Sequence, residues 1–319
     1  MANSGKSFST SELLIVICAT LFLVIYNGFT GSIFRSQQKL PNYTQGAAIS
    51  KKDNSQKTSL LLTGDVMLGR TVQAKSRELN NLNYPFEEVA AKLQAADLVY
   101  VNLENSLNED CPEQREGYLL CASPEAAGGL AFAGIDVANL ANNHTGAFGK
   151  MGIESTKNVL RKVGIESTGL GSLVDKMAGG TRFGFLGFDF TSKLPTAGDY
   201  ELITRSKSKV DVLIVGAHWG MEYSAVPNDY QIRWAKAIIE AGADVIVGHH
   251  PHWIQTVDYI NGKPVYYSLG NFVFDQMWSE ETKKGMVIRL TFEGAKLIKE
   301  ERLSTYMSSW AQPAFVEEK

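Results

Sequence analysis

The 319-residue chain contains five histidines, and all five fall in three short segments. These are Asn142-Asn143-His144, His218-Trp219-Gly220 and Gly248-His249-His250-Pro251-His252. Each follows an apolar run that reads as a strand. Two acids hold matching places. Asp65 closes the run 59–63 in Thr63-Gly64-Asp65, and Glu104 closes the run 98–103. Carboxylates, an amide oxygen and imidazoles form the mixed oxygen and nitrogen set that suits Mn, Zn or Fe. The candidate ligands of one or two divalent ions are therefore Asp65, Glu104, Asn143, His218, His250 and His252. Taken singly, some have plainer readings: Asp65 as a turn residue, Glu104 as a solvated strand end, His218 as a core histidine. His250 and His252 weigh more as a pair, because alternate residues of an extended segment face one side. By the same rule His249 faces away. No cysteine lies in these segments, which argues against a Cys-rich structural zinc site.

The elements that must position these groups follow from hydrophobic period and turn residues. Strands are predicted at 59–63, 98–103, 137–140, 182–188, 210–217, 244–248 and 286–292. Helices are predicted at 86–96, 149–163 and 229–241, the last with Ile232, Ala235, Ile238 and Ile239 on one face. A hairpin joins 256–260 to 264–268 through Asn261-Gly262. Strands alternating with helices, then a strand-rich end, give an α/β class. In open α/β sheets the carboxyl ends of strands converge on a ligand crevice, where all the candidate ligands would meet.

Six segments together resemble the poly-γ-glutamate capsule-synthesis protein A (CapA/PgsA) family. They are Gly64-Asp65-Val66-Met67-Leu68-Gly69-Arg70, Asn102-Leu103-Glu104, Asn139-Leu140-Ala141-Asn142-Asn143-His144, His218-Trp219-Gly220-Met221-Glu222-Tyr223, Gly248-His249-His250-Pro251-His252, and Tyr267 through Asp275. That family is similar to the calcineurin-like metallophosphoesterases. The resemblance implies a four-layer sandwich: two mixed β-sheets flanked by helices, with metals at the strand ends. It makes Asp65 a ligand and Glu104 the bridging carboxylate. Asn143, His218 and His250 would serve a second ion, and His252 the first. His144 would protonate a leaving group. It also implies partners: a poly-γ-glutamate ligase, export subunits and an anionic polymer. The chain departs from the pattern at three places. Met67 stands where a ligating histidine is usual, and a thioether is a poor donor to hard ions. Thr145 and Ala147 stand where an acid would orient His144. Arg70 and Asn271 are candidates for contact with an anionic substrate, Arg70 fitting a surface role equally. Trp219 and Tyr223 fit either a pocket wall or the core.

The remaining organisation concerns placement. Residues 1–12 form a tail. Residues 13–34 carry no charge and meet the roughly 20 residues a bilayer-spanning helix needs, which predicts an uncleaved transmembrane anchor, with a cleaved signal peptide as the competing reading. Residues 35–57 read as a flexible linker, 58–303 as the folded body and 304–319 as an irregular tail. Lys6 precedes the span, whereas Arg35, Lys39, Lys51 and Lys52 follow it, which alone favours a cytoplasmic body. Cys111 and Cys121 argue the other way: an even pair in a short loop suits an oxidising compartment, with two free thiols as the alternative. On balance we expect a single-pass protein of the cytoplasmic membrane with its body outside. With 31 basic and 34 acidic residues and no basic stripe, nucleic acid is not an expected partner.

Overall fold

A computed structural model describes residues 56–316. The predicted anchor and nearly all of the linker lie outside the described residues. Among the described residues, no helix is long and apolar enough to cross a membrane.

In chain order the elements begin with β1 (Lys57–Val66), α1 (Arg70–Glu78), α2 (Ala90–Gln94), β2 (Leu98–Leu103), β3 (Ser106–Leu107) and β4 (Cys121–Ala122). Next come α3 (Ala127–Phe132), β5 (Val137–Asn139), α4 (Gly149–Lys162), β6 (Glu166–Thr168), β7 (Val174–Ala178) and β8 (Thr181–Asp189). Then follow α5 (Ala197–Lys207), β9 (Val212–His218), α6 (Asp229–Glu240), β10 (Val245–His249), β11 (Val257–Ile260) and β12 (Lys263–Tyr266). The chain closes with β13 (Asn271–Val273), β14 (Lys284–Glu293), β15 (Lys296–Ser309) and β16 (Gln312–Phe315).

Two mixed sheets result. One runs β16-β15-β14-β1-β2-β5-β6, with β13 also paired to β1; the other runs β11-β12-β10-β9-β8-β7. The strands β1, β2, β5 and β6 are mutually parallel, as are β8, β9, β10 and β12. The two-residue period of a strand sends successive side chains to opposite faces. In β1, Leu60 and Leu62 enter one apolar cluster and Leu61 another. In β9, Val212 and Ile214 share that first cluster, whereas Leu213, Val215 and Ala217 face a third with Ile238 and Ile239 of α6. Strands buried on both faces read as near-continuous apolar runs, which is why β1, β2, β9 and β10 are visible in sequence.

Three expectations need correction. The helix predicted over 86–96 is a 3₁₀ turn at Tyr84–Phe86 followed by the short α2. Its apolar face survives, because Phe86, Val89, Ala90 and Leu93 are all buried. On α6, Ile232 is exposed and Gln231 is buried instead, since Gln231 closes a capping box with Asn228 and turns inward. The tail from residue 304 is not irregular in its described part. It extends β15 along β14 and continues into β16. There the buried alternate positions are Thr305 and Met307, and the polar threonine hides the period.

Cys111 and Cys121 form a disulfide, their Cα atoms 5.8 Å apart. The bridge ties β4 to the preceding loop, closing a short loop of the unfolded chain. Loops of this size gain about 2–3 kcal/mol from such a link. Replacing both cysteines with serine is therefore expected to lower the denaturant-extrapolated stability by about that amount. Equal stability of the double variant and the parent would show that the bridge contributes nothing to folding.

Candidate metal centre

The centre is built where the carboxyl ends of both sheets meet. Asp65 lies near the end of β1, and Glu104 directly follows β2. Asn143 and His144 follow β5, His218 ends β9, and His250 and His252 follow β10. Parallel strands place all these ends on one rim, so residues far apart in sequence converge.

Glu104 is the hub. Its side chain is fully buried, and neither carboxylate oxygen has a hydrogen-bond partner. Three imidazoles surround Oε1: His144 Nε2 at 3.6 Å, His218 Nε2 at 3.8 Å and His252 Nε2 at 3.8 Å. These spacings are too long for hydrogen bonds. They lie close to the roughly 3–3.5 Å that separates two donors sharing an ion at about 2.1 Å. Buried polar atoms are normally paired, and an isolated buried carboxylate is costly. The Nδ1 atom of buried His250 is also without a partner. A divalent cation accounts for these orphans at once, so the residues fit a metal.

Two of the donor-atom sets overlap at Glu104, each with its atoms within 4.8 Å of one another: Asp65, Glu104 and His252; and Glu104, His218 and His250. Asn143 joins the second through Oδ1, 3.0 Å from His218 Nε2. Glu104 belongs to both, the position of a bridging carboxylate. Met67 adds no donor. It is buried in the apolar cluster outside the first sheet, and its sulfur accepts the Gly69 N–H at 3.0 Å.

The pair His250 and His252 reaches the site by a different route from the one expected. The strand ends at His249, and both residues have positive φ, 95° and 58°. Non-glycine residues rarely adopt this region, and such strain clusters at functional sites. His249 does face away, its Nε2 3.1 Å from the Thr63 carbonyl.

Burial and charge set the protonation. Burial pushes Glu104 well above the usual carboxylate range. Burial alone would raise Asp65 too, but the hydrogen bond from His252 and the field of nearby histidines hold it below its ordinary value. Burial opposes charge on His252, yet Glu104 and Asp65 outweigh it and lift that imidazole to about 9. His218 and His250 are pushed down by burial. His144, at the mouth with a side chain 21% exposed, is lowered to about 4 by burial and by its histidine neighbours.

Bacterial capsule synthesis protein PGA_cap is the family whose model matches, over residues 59–193 and 189–276. The chain belongs to this family. Among relatives, it is 34% identical over 253 residues to PGA biosynthesis protein CapA of Bacillus subtilis (strain 168), covering 72% of this chain and 66% of that one. It is 31% identical over 273 residues to capsule biosynthesis protein CapA of Bacillus anthracis, covering 76% and 66%. The chain thus spans just under two thirds of the length of these relatives. A hypothetical protein from Thermus thermophilus shares the fold, with a TM-score of 0.51 at 14% identity, over 77% of this chain and 98% of that one.

Within this PGA_cap chain, two expected substrate contacts are otherwise engaged. The Arg70 guanidinium donates through Nε to Asp275 at 3.1 Å, through Nη2 to the other Asp275 oxygen, and through Nη1 to the Gly117 carbonyl at 2.9 Å. It ties the start of α1 to the disulfide loop, and its charge still acts on Glu104 and His144. Asn271 donates through Nδ2 to the Thr282 carbonyl at 2.9 Å and to Gln276 at 3.0 Å. A carbonyl only accepts, so the Asn271 amide oxygen must face His252, whose Nδ1–H donates to it at 3.0 Å. That bond and Asp65 Oδ2 at 3.2 Å engage Nδ1, so Nε2 is the nitrogen that faces Glu104, at 3.8 Å. Asn271 orients His252, the arrangement by which outer partners position metal-binding histidines. Trp219 belongs to the core, its indole donating to the Tyr267 carbonyl at 2.8 Å. Tyr223 is half-buried beside His252, ring centroids 6.1 Å apart.

Two further residues of the candidate centre are absent from the sequence-based set. Asn102 donates to Asp65 Oδ1 at 2.9 Å and lies 3.3 Å from His218 Nδ1. An amide inside the apolar run 98–103 is the available signal. Glu222 is exposed, and its carboxylate stands within 4.8 Å of donor nitrogens on His250 and His252. Its signal is an acid in the His218-Trp219-Gly220-Met221-Glu222 segment.

Proposed function

We propose that this protein is a membrane-anchored, extracytoplasmic component of poly-γ-glutamate capsule biosynthesis or export, working through a metallophosphoesterase-like centre in a four-layer sandwich. The family and the CapA relatives support the capsule role; the Cys111–Cys121 disulfide supports an oxidising compartment. The observation that carries the metal reading is Glu104: a buried, unpartnered carboxylate ringed by three imidazole nitrogens. Its partners would be a poly-γ-glutamate ligase, export subunits and the anionic polymer itself.

Asp65, Glu104 and His252 would hold one ion; Glu104, Asn143, His218 and His250 would hold another. A bound divalent ion supplies Lewis acidity and offsets charge developing on a substrate oxygen. Asn102 and Asn271 fix Asp65 and His252. The strained loop at His250 and His252 holds both rings at the rim. His144, beside Glu104 at the mouth, is placed to exchange a proton with a group seated there.

Partial exposure of His144 favours a second reading, a cell-surface metal-dependent phosphoesterase. The absence of a donor at Met67 favours a third, a metal-stabilised polyanion-binding module without turnover. Two measurements separate them. In the capsule-forming host, His250→Ala is expected to reduce surface polymer by about tenfold or more, an effect of the size caused by disrupting a metal site. Normal polymer output would remove the metal centre from the capsule role. Hydrolysis of a generic phosphodiester by the purified chain with Mn or Zn, lost in both His250→Ala and His144→Ala, would establish the phosphoesterase.

A further inference from the structure

The centre is donor-poor on the Asp65 side, where Met67 turns its sulfur to Gly69. It is also open toward solvent. Glu222 stands on that open side. Its carboxylate forms a third set of donor atoms with His250 and His252, again within 4.8 Å of one another.

The loop carrying Glu222 is built to stay there. Gly220 and Tyr223 both have positive φ, 88° and 60°, so the chain turns sharply on either side of the acid. The Trp219 N–H donates to the His249 carbonyl at 3.1 Å, and the Tyr223 N–H to the Pro251 carbonyl at 2.8 Å. The Glu222 loop therefore tracks the His250–His252 loop by backbone bonds. Behind it, the Gln255 amide donates to the carbonyls of Ser224 and Val226, each at 3.0 Å. Buried Gln231 donates to Gln255 at 2.9 Å and locks that amide in place. Buried His250, whose Nδ1 has no partner, belongs to the donor set that Glu222 completes.

We propose that Glu222 is itself a metal ligand, closing the solvent side of the centre together with His250 and His252. It gives the site a carboxylate in addition to Asp65 and Glu104, which favours harder ions such as Mn over softer ones. The proposal rests on the metal reading above, and the test keeps the two apart.

The full-length chain is stripped with EDTA, and Mn or Zn is titrated back by calorimetry, with metal content measured after desalting. Glu222→Gln is expected to weaken binding of at least one ion by about tenfold or more, with Glu222→Asp between it and the parent. Glu240→Gln, an exposed acid at the end of α6, should bind as the parent does. Because Glu222 is exposed, the metal-free melting temperature of Glu222→Gln should match the parent, so a weakened site is not a misfolded one. If Glu222→Gln binds like the parent while His250→Ala does not, Glu222 is no ligand and the centre stands. If the parent itself takes up no metal, both readings fall.

Discussion

Glu104→Leu is expected to make the metal-free protein more stable while abolishing metal uptake. Both oxygens of Glu104 are buried without partners, and burial pushes its pKa well above the ordinary range. The folded apoprotein therefore carries an uncompensated polar group that leucine, of similar size, removes. A buried polar group left without partners costs about 1–3 kcal/mol, which packed hydrocarbon at that position recovers. Part of that gain is offset here, because Glu104 also supports the charge on His252. A net gain of about 1 kcal/mol remains, and each kcal/mol moves the midpoint by about 2–4 °C in a body of this size. Melting in EDTA reads this directly. With Mn or Zn at about a hundred times the dissociation constant, the parent alone gains about 2.7 kcal/mol, and the order of the two proteins reverses. An apo-Glu104→Leu protein that melts below the parent would mean that Glu104 is satisfied inside the protein and needs no cation.

That reversal is a physical signature of function, and it bears on what the sequence can disclose. The donor types are legible because histidine is rare here and every copy follows an apolar run. Strands buried on both faces announce themselves as such runs. What the sequence conceals is how the donors are aimed. Alternation puts His250 and His252 on one face of an extended segment, yet both sit at positive φ beyond the end of β10. The side chains arrive together through a loop with two positive-φ residues, and no period in the sequence records that. Arg70 reads as a cation free to meet an anion, but its partner Asp275 lies far along the chain and only β13 pairing beside β1 brings them together. Glu222 looks like any other exposed acid until Gln231 and Gln255 are seen to hold its loop. The C-terminal strands are hidden because Thr305 stands at a buried position where an apolar residue would have shown the period. Local chemistry is readable, and long-range orientation is not.

Gly64 exposes the same dependence of chemistry on backbone approach. A Cβ built there would meet the Gly270 carbonyl oxygen at 2.1 Å and its carbon at 2.9 Å. Both are backbone atoms and cannot rotate away. Gly270 has little room to retreat, since a Cβ on that residue would itself meet the Lys284 carbonyl at 2.8 Å. The contact is close because Asp65 N–H donates to the Gly270 carbonyl at 2.9 Å and Asp65 pairs with Asn271 in register. An alanine at 64 must therefore push β13 off β1. Asp65 and Asn271 then separate, and with them the two acceptors that hold His252 Nδ1–H. Overpacking of this kind costs about 3 kcal/mol or more where nothing can yield. The ligand should also suffer, with metal affinity falling about 10- to 100-fold although no donor has been changed. Gly128→Ala provides the contrast: that helical glycine has nothing within 4 Å of its virtual Cβ, and the substitution should stabilise by up to about 1 kcal/mol. Thermal melts and metal titrations of the two variants side by side carry the decision. Should Gly64→Ala melt and bind metal as the parent does, the β1–β13 contact is looser than the structure has it, and the alignment of Asp65 with Asn271 and His252 does not depend on it.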